Sequence, residues 1–289
     1  MDFRKNNRIK GAGTALITPF KSDGSVDFAA LENIVENNIA GGMDFLCVLG
    51  TTAETPTLTE MEKKAIRRCV IDKAAGRVPL LLGFGGNNTA ALVEAVKQDG
   101  FEGFDAILVV APFYNKPNQE GLYQHFKAVA SASSKPVVMY NVPGRTGVNI
   151  LPETTLRIAE DCPNVVGIKE ASGNIDQITE IIKGKPEGFA VISGDDGLTC
   201  ELMNRGADGV ISVVSNVLPE EIATIVKDRK NAREVDNSLK EIYKLFFKEG
   251  NPVGVKGYMS LKGLIENCLR LPLVPASISL MKELKSNLR

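Results

Sequence analysis

The chain has 289 residues, of which 44% are hydrophobic and 24% are charged, and its formal net charge at pH 7 is −1. This balance is typical of a globular protein and offers no basic surface for nucleic acid or an anionic membrane. No apolar stretch approaches the roughly 18 residues of a membrane span, and the charged N-terminus lacks the apolar region of a secretory signal. We therefore expect a cytoplasmic protein that acts on a small molecule.

The numbers and spacing of histidines and cysteines exclude further classes of catalytic and metal site. His125 is the only histidine, which excludes multi-histidine metal sites, and its place in the first turns of a predicted helix favours a structural role. The five cysteines are scattered without CxxC spacing, which is typical of reduced, structural thiols. We expect no metal and no cofactor, so acid–base chemistry would fall to Tyr, Lys, Asp or Glu.

Short apolar runs alternate with amphipathic segments along most of the chain. The predicted strands are residues 13–18, 45–49, 79–84, 106–110, 136–140, 165–169, 190–193 and 209–213. The predicted helices are residues 27–40, 59–75, 89–100, 119–133, 152–161, 174–183, 196–205 and 219–229. Eight such βα units predict a closed parallel (β/α)8 barrel of the TIM type. A doubly wound open sheet is the alternative, but it usually has fewer strands, and no G-x-G-x-x-G motif opens the first helix.

More helical sequence follows the eighth unit. Three further helices are predicted over residues 232–249, 252–265 and 277–288, and a proline-rich connection precedes the last one. We expect a catalytic barrel over residues 1–230 and a C-terminal helical region over residues 231–289 that packs on the barrel.

In (β/α)8 barrels the chemistry lies at the carboxyl ends of the strands. The sixth predicted strand, VVGIK, ends in Lys169 and is followed by Glu170. A lysine there is either an ordinary side chain that extends to solvent or a buried amine that forms an imine with a ketone. The second interpretation is possible because burial disfavours the charged form of an amine.

Hydroxyl and carboxylate side chains follow two other predicted strands. Thr51 and Thr52 come after the second strand, where hydroxyls and turn N–H groups either bind a carboxylate or cap the turn. Asp195 and Asp196 come after the seventh strand, and aspartates directly before a helix are more often caps than catalysts.

The fourth and fifth predicted strands add groups suited to a keto acid. Tyr114 follows the fourth strand between two prolines, while the fifth delivers Tyr140 and then Arg145. An imine-forming lysine, a phenol that moves protons and an arginine that binds carboxylates bidentately favour carbon–carbon bond chemistry through an enamine.

Five segments at these strand ends carry a family resemblance: GTTAE at residues 50–54, PFYNKP at 112–117, YNVPGRTG at 140–147, GIKE at 167–170 and SGDD at 193–196. In this order they resemble the dihydrodipicolinate synthase family, with similarity from about Gly11 to Leu273. The resemblance implies a (β/α)8 barrel with C-terminal helices and a homotetramer, built as a dimer of dimers. It also implies a lyase that condenses pyruvate with L-aspartate-4-semialdehyde in lysine (diaminopimelate) biosynthesis.

The resemblance also implies four catalytic roles. Lys169 would form the Schiff base with pyruvate. Tyr140 would move protons during imine formation and cyclisation, with Thr52 relaying to Tyr114. The tyrosine matching Tyr114 reaches into a neighbouring subunit's site in this family, so association of subunits would complete the relay.

Five residues would bind substrate by the same resemblance. Thr51 and Thr52 would hold the pyruvate carboxylate, and Arg145 would hold the carboxylate of the semialdehyde. Gly194 and Ile211 would line the pocket.

Two other functions compete with this one. Sialic acid and keto-deoxy sugar acid aldolases share the barrel and the lysine, but Arg145 within PGRTG is a mark of the synthases. A barrel that binds a keto acid without turnover is the alternative from another class. The joint presence of Lys169, Tyr140, Tyr114 and Thr52 argues against it.

Two departures from the family pattern lead to expectations of their own. Ala53 stands where the family usually has glycine, which predicts a small change in the turn after the second strand. The positions that match the family's inhibitory lysine site are Glu60, Lys63, Asn87, Ala91 and Phe113. Only Asn87 fits the lysine-sensitive pattern, so we expect weak or absent inhibition by lysine.

Overall fold

The computed structural model describes residues 3–289, and its eight parallel strands hydrogen-bond in chain order as a closed barrel. The strands are β1 Gly11–Ala15, β2 Phe45–Val48, β3 Leu80–Gly83, β4 Ala106–Val110, β5 Val137–Asn141, β6 Val165–Glu170, β7 Ala190–Ser193 and β8 Gly209–Ser212. This consecutive order excludes the doubly wound sheet, whose strand order reverses at a switch point. The predicted (β/α)8 barrel is confirmed.

Each strand is followed by at least one helix. The helices are α1 Phe28–Ala40, α2 Glu60–Ala74, α3 Thr89–Asp99, α4 Gln119–Ala132, α5 Pro143–Thr146, α6 Pro152–Asp161, α7 Ile175–Gly184, α8 Asp196–Asn204, α9 Pro219–Lys227, α10 Ala232–Phe247, α11 Val253–Leu261 and α12 Ile278–Ser286. Short 3-10 turns lie at Thr51–Ala53, Thr55–Thr57 and Val214–Asn216. Among residues 3–289, no helix combines the length and apolar character needed to cross a bilayer.

The strands form because their side chains are buried on both faces. Every residue of β2, β5, β6, β7 and β8 is buried. Parallel strands covered on both sides have continuous apolar runs of this kind, since neither face meets water. The exceptions in β6 are its last two residues, Lys169 and Glu170, which are charged side chains in a buried strand. Two buried ionisable groups thus lie at the carboxyl end of one strand.

Side-chain caps determine where several helices begin. Thr59 and Glu62 form a reciprocal capping box at the start of α2, and the side chain of Asp195 accepts a hydrogen bond from the backbone N–H of Gly197 in α8. Each such cap contributes about 1 kcal/mol to stability. The capping interpretation of Asp195 is confirmed.

The described chain forms two compact units. The first contains the described residues before Ala12 together with Pro79–Ile211, which include β3 to β7, most of β8 and α3 to α8. The second contains Ala12–Val78 and Ser212–Arg289, with β2, α1, α2 and α9 to α12. Within the second unit, α10 packs on α9 and α11, and α11 packs on α12. The boundary between residues 230 and 231 stays a prediction.

Candidate active site

Lys169 and Tyr140 are neighbours at the ends of two adjacent strands. They lie opposite each other in the register of β5 and β6, and the Lys169 Nζ lies 4.4 Å from the centroid of the Tyr140 ring. Lys169 is 6% exposed and Tyr140 is 7% exposed. The alternative of a lysine that extends to solvent is therefore wrong. A buried amine beside a phenol is suited to imine chemistry.

Gly194 lies directly against the Lys169 side chain. A Cβ at position 194 would be 3.1 Å from the Lys169 Cε and 2.7 Å from the Ala171 Cβ, which is too close for a real side chain. The backbone N–H of Gly194 donates to the Glu170 carbonyl at 2.8 Å. The missing side chain leaves room beside Lys169. Ile211 lies in β8 and is buried.

Arg145 is presented by a short helix that the sequence pattern did not predict. α5 begins with Pro143 and ends at Thr146, and the next residue, Gly147, has a φ of 75° in the left-handed region that glycine tolerates. The buried Thr146 hydroxyl donates to the Val142 and Val148 carbonyls at 3.2 and 2.9 Å and so stiffens the loop. Arg145 itself is exposed, where a guanidinium can meet an incoming carboxylate.

Tyr114 lies in the segment after β4, and its backbone is tied to the loop that carries Arg145. Its N–H donates to the Thr146 carbonyl at 3.3 Å, and its φ is 74°. Asn87 supports the same segment, because its side-chain amide donates to the Phe113 carbonyl at 3.0 Å. The Tyr114 side chain is 89% exposed. Its ring therefore does not pack into the interior of its own chain.

Thr51 and Thr52 begin the 3-10 turn after β2, in the second compact unit. Gly50 precedes this turn in an extended conformation, and the turn has no side-chain cap. Thr52 is buried, and its hydroxyl accepts a hydrogen bond of 2.8 Å from the side-chain amide of Asn251. The capping alternative for this threonine pair is therefore not what the structure shows.

Alanine fits at position 53 without strain. The left-handed residues on either side of the turn are Leu49 and Glu54, with φ of 55° and 53°, whereas Ala53 lies within the right-handed 3-10 segment. Its carbonyl accepts a hydrogen bond of 2.8 Å from the Thr18 hydroxyl. The backbone at this position does not need glycine.

Comparison with known proteins assigns the chain to a family. The model of the dihydrodipicolinate synthetase family matches residues 8–289. The chain belongs to this family. A 4-hydroxy-tetrahydrodipicolinate synthase of Phocaeicola vulgatus is 54% identical over 284 residues, which cover 96% of each chain.

Solved structures of dihydrodipicolinate synthases are similar over nearly the whole chain. One is a monomeric variant with a TM-score of 0.94 and 43% identity, covering 99% of this chain and 97% of its own. Another, from Thermotoga maritima, has a TM-score of 0.93 and 44% identity, covering 97% of this chain and 98% of its own. The recognised family and the fold are thus confirmed together.

Glu170 is a buried carboxylate that belongs to the GIKE segment but was assigned no role from the sequence. It is fully buried, and it accepts hydrogen bonds from the side chains of Asn141 and Gln177 and from the Ser172 N–H. Burial raises the pKa of Glu170, although these hydrogen bonds oppose the change. The signal that could have found it is its position directly after Lys169, because neighbouring strand residues face opposite sides.

A buried ion pair between Lys256 and Glu54 lies within the second compact unit. The Lys256 Nζ is 2.5 Å from Oε1 of Glu54, and both side chains are fully buried. Lys256 also donates to the Cys268 carbonyl at 2.9 Å, and the Arg270 N–H donates to Oε2 of Glu54 at 3.0 Å. Burial lowers the pKa of Lys256 against the opposing effect of Glu54. The pair joins the turn after β2 to α11.

His125 lies on α4 as a buried side chain of the family fold. Its Nδ1 shares a hydrogen bond of 2.8 Å with the Thr89 hydroxyl, and burial lowers the pKa of the ring to about 4. Residues 3–289 contain no group of three or more His, Cys, Asp or Glu side chains placed to hold a metal ion. His125 fits the structural role expected for it.

Proposed function

We propose that this chain condenses pyruvate with L-aspartate-4-semialdehyde to give 4-hydroxy-tetrahydrodipicolinate in lysine biosynthesis. It is then a lyase that uses a lysine Schiff base and no cofactor. The observation that carries the proposal is the buried Lys169 amine, which lies 4.4 Å from the Tyr140 ring centroid and against Gly194. Membership of the dihydrodipicolinate synthetase family supports the choice of substrates.

The chemistry begins at the Lys169 amine. Its Nζ attacks the ketone carbon of pyruvate, a C–N bond forms, and loss of water gives an imine. Loss of a methyl proton converts the imine to an enamine, whose carbon attacks the aldehyde carbon of the second substrate. The amino group of that substrate then attacks the imine carbon, and the ring closes as Lys169 is released. One water molecule leaves in the whole sequence.

Proton transfers accompany each of these steps. Tyr140 is the proton donor and acceptor beside the amine, with Thr52 and Tyr114 completing a relay. The exposed ring of Tyr114 supports a role in the site of a neighbouring subunit. The proposal therefore includes a homotetramer, built as a dimer of dimers, and a cytoplasmic enzyme.

Substrate recognition divides between two carboxylate sites. Thr51 and Thr52 bind the pyruvate carboxylate, while Gly194 and Ile211 line the pocket. The exposed Arg145 on α5 binds the carboxylate of the semialdehyde, since a guanidinium pairs bidentately with a carboxylate. Arg145 also separates this function from that of the sugar acid aldolases.

Condensation by the purified chain tests the proposal directly. With pyruvate and L-aspartate-4-semialdehyde, a coupled reductase should consume NADPH, and Arg145→Ala should impair use of the semialdehyde while pyruvate is still trapped by borohydride. Turnover of a keto-deoxy sugar acid in place of the semialdehyde would overturn the proposal and favour an aldolase. Failure of Arg145→Ala to form the pyruvyl imine would show that Arg145 serves the first step instead.

A further inference from the structure

Four buried or half-buried polar side chains form one hydrogen-bonded group, here called the Glu170 cluster: Asn141, Asn149, Glu170 and Gln177. The Asn141 amide donates to Asn149 at 2.7 Å and to both Glu170 oxygens at 3.1 Å. The Gln177 amide donates to Glu170 at 3.0 Å, and the Asn149 amide donates to Gln177 at 2.7 Å. The cluster thus connects β5, β6 and the first turn of α7 to the segment before α6.

The cluster closes the base of the loop that carries Arg145. Asn141 is the last residue of β5 and Asn149 follows α5, so their hydrogen bond joins the two ends of residues 142–148. The Ile150 N–H adds a second bond across this base, donating to the Asn141 side chain at 3.0 Å. The two ends of the loop that carries Arg145 are therefore joined by residues that lie outside the loop.

The cluster lies on the opposite side of the strands from the reacting amine. Asn141 and Glu170 are paired in the β5–β6 register directly after the pair of Tyr140 and Lys169. Consecutive strand residues point to opposite faces, so Glu170 does not face the Lys169 Nζ. Any effect of the cluster on the reaction must pass through the backbone and the loop.

A purely stabilising role explains this arrangement poorly. Burying a carboxylate is costly, and apolar residues of similar volume are often as stable as a buried charged group. Among the groups bonded to Glu170, Asn141 forms the base of the loop directly, and Gln177 reaches that base through its hydrogen bond with Asn149. Networks that are fully hydrogen-bonded make a local structure rigid and unique.

We propose that Glu170 and Gln177 are positioning residues, which fix the loop bearing Arg145 through Asn141 and Asn149 and thereby set the affinity for the carboxylate of the second substrate. The inference deepens the proposed function and rests on it. It separates the recognition of the two substrates, since it acts on the Arg145 loop and not on the Lys169 amine.

Gln177→Met tests the inference because methionine has a similar size and no hydrogen-bonding amide. We expect the KM for L-aspartate-4-semialdehyde to rise about tenfold, the effect of losing about 1.4 kcal/mol of binding. The KM for pyruvate and the borohydride trapping of pyruvate should stay within about twofold, by the same scale. Gln98→Met on the exposed face of α3 is the matched control, with both constants unchanged. Equal rises in both KM values, or no change in either, would overturn the inference.

A double-mutant cycle shows whether Gln177 acts through Arg145 or lowers substrate affinity independently of it. If Gln177 acts through Arg145, then Gln177→Met should add little to the semialdehyde KM in an Arg145→Ala background. If the fold-increases in the semialdehyde KM of the two single variants multiply in the double variant, the inference is wrong.

Amide hydrogen exchange provides a readout that needs no substrate. Gln177→Met should speed exchange at the backbone amides of residues 144–150 about tenfold or more, while β4 is unchanged. Unchanged exchange in this loop would overturn the positioning role even if condensation is observed. Faster exchange in a chain that does not condense the two substrates would instead locate the failure in the proposed function.

Discussion

Tyr114 combines a left-handed backbone conformation with a highly exposed ring. Its φ of 74° costs on the order of 1 kcal/mol for a residue with a Cβ, and its ring is left 89% exposed. Strained, exposed aromatic residues are typical of functional or interacting segments and are not explained by the packing of their own chain. The role proposed for Tyr114 in a neighbouring subunit requires a ring that is exposed on its own chain, as this one is.

The Tyr114 hydroxyl is expected to act on turnover more than on binding. Tyr114→Phe should lower kcat on the order of 100-fold with little change in the pyruvate KM, because a proton relay acts in the transition state. Steady-state kinetics measure both constants. Tyr123→Phe, which removes a hydroxyl bonded to Asp161, is the control with unchanged kcat. Full turnover of Tyr114→Phe would exclude the relay.

His125 makes the stability of the fold depend on pH. Burial lowers its pKa from 6.5 to about 4, so the unfolded chain binds more protons between these values. Stability should therefore fall as pH drops from about 6.5 to 4, by up to about 3 kcal/mol. His125→Asn removes the titrating ring. The difference in the free energy of unfolding between the unaltered chain and this variant should therefore shrink as pH falls from about 6.5 to 4. A constant difference from pH 7 to 4 would contradict the assignment.

Secondary-structure bounds are predicted best where an apolar run and a strand coincide. The bounds of β4 and α6 agree with the prediction to the residue. The first strand was expected at residues 13–18 but is Gly11–Ala15, because Leu16 and Ile17 are buried in the connection after it. An apolar run predicts burial, and only the hydrogen bonds decide where a strand ends. The four-residue α5 lies below the length at which periodicity can be detected.

The buried pair between α11 and the turn after β2 predicts a large effect on stability. Lys256→Met leaves the Glu54 carboxylate buried without its cation, which should cost about 3–5 kcal/mol in the free energy of unfolding. Denaturant unfolding measures this change. Lys248→Met, which breaks a half-exposed pair with Glu283, should cost less than about 1 kcal/mol. Equal losses of unfolding free energy in the two variants would show that burial of the Lys256–Glu54 pair does not matter for stability.

The predictable and unpredictable parts of the structure differ in the sequence separation of the residues that they bring together. The strand ends that carry Lys169, Tyr140 and Gly194 follow from the order of βα units, since a barrel brings consecutive strand ends to one rim. The Glu54–Lys256 pair joins residues 202 positions apart, and no local pattern marks either partner. In the Glu170 cluster, Asn149 and Gln177 likewise look ordinary in the sequence, one in a turn and the other on a helix.

Regulation of the whole enzyme is expected to differ from that of lysine-sensitive relatives. Lys63 forms an ion pair of 2.8 Å with Glu60, and Ala91 provides no carboxylate for a ligand ammonium. We therefore expect turnover to be nearly unchanged at about 1 mM lysine, a concentration within the usual range for metabolites. A dose–response curve of the purified enzyme measures this, and half-inhibition below that concentration would contradict the prediction.

The proposed reaction begins with an imine between Lys169 and pyruvate, and every later step depends on it. Borohydride reduction of the enzyme with pyruvate, followed by peptide mass spectrometry, tests it most directly. We predict one reduced pyruvyl group on Lys169 in the unaltered chain, and neither adduct nor condensation with Lys169→Ala. An adduct on another lysine, or turnover that survives in Lys169→Ala, would show that Lys169 does not form the imine.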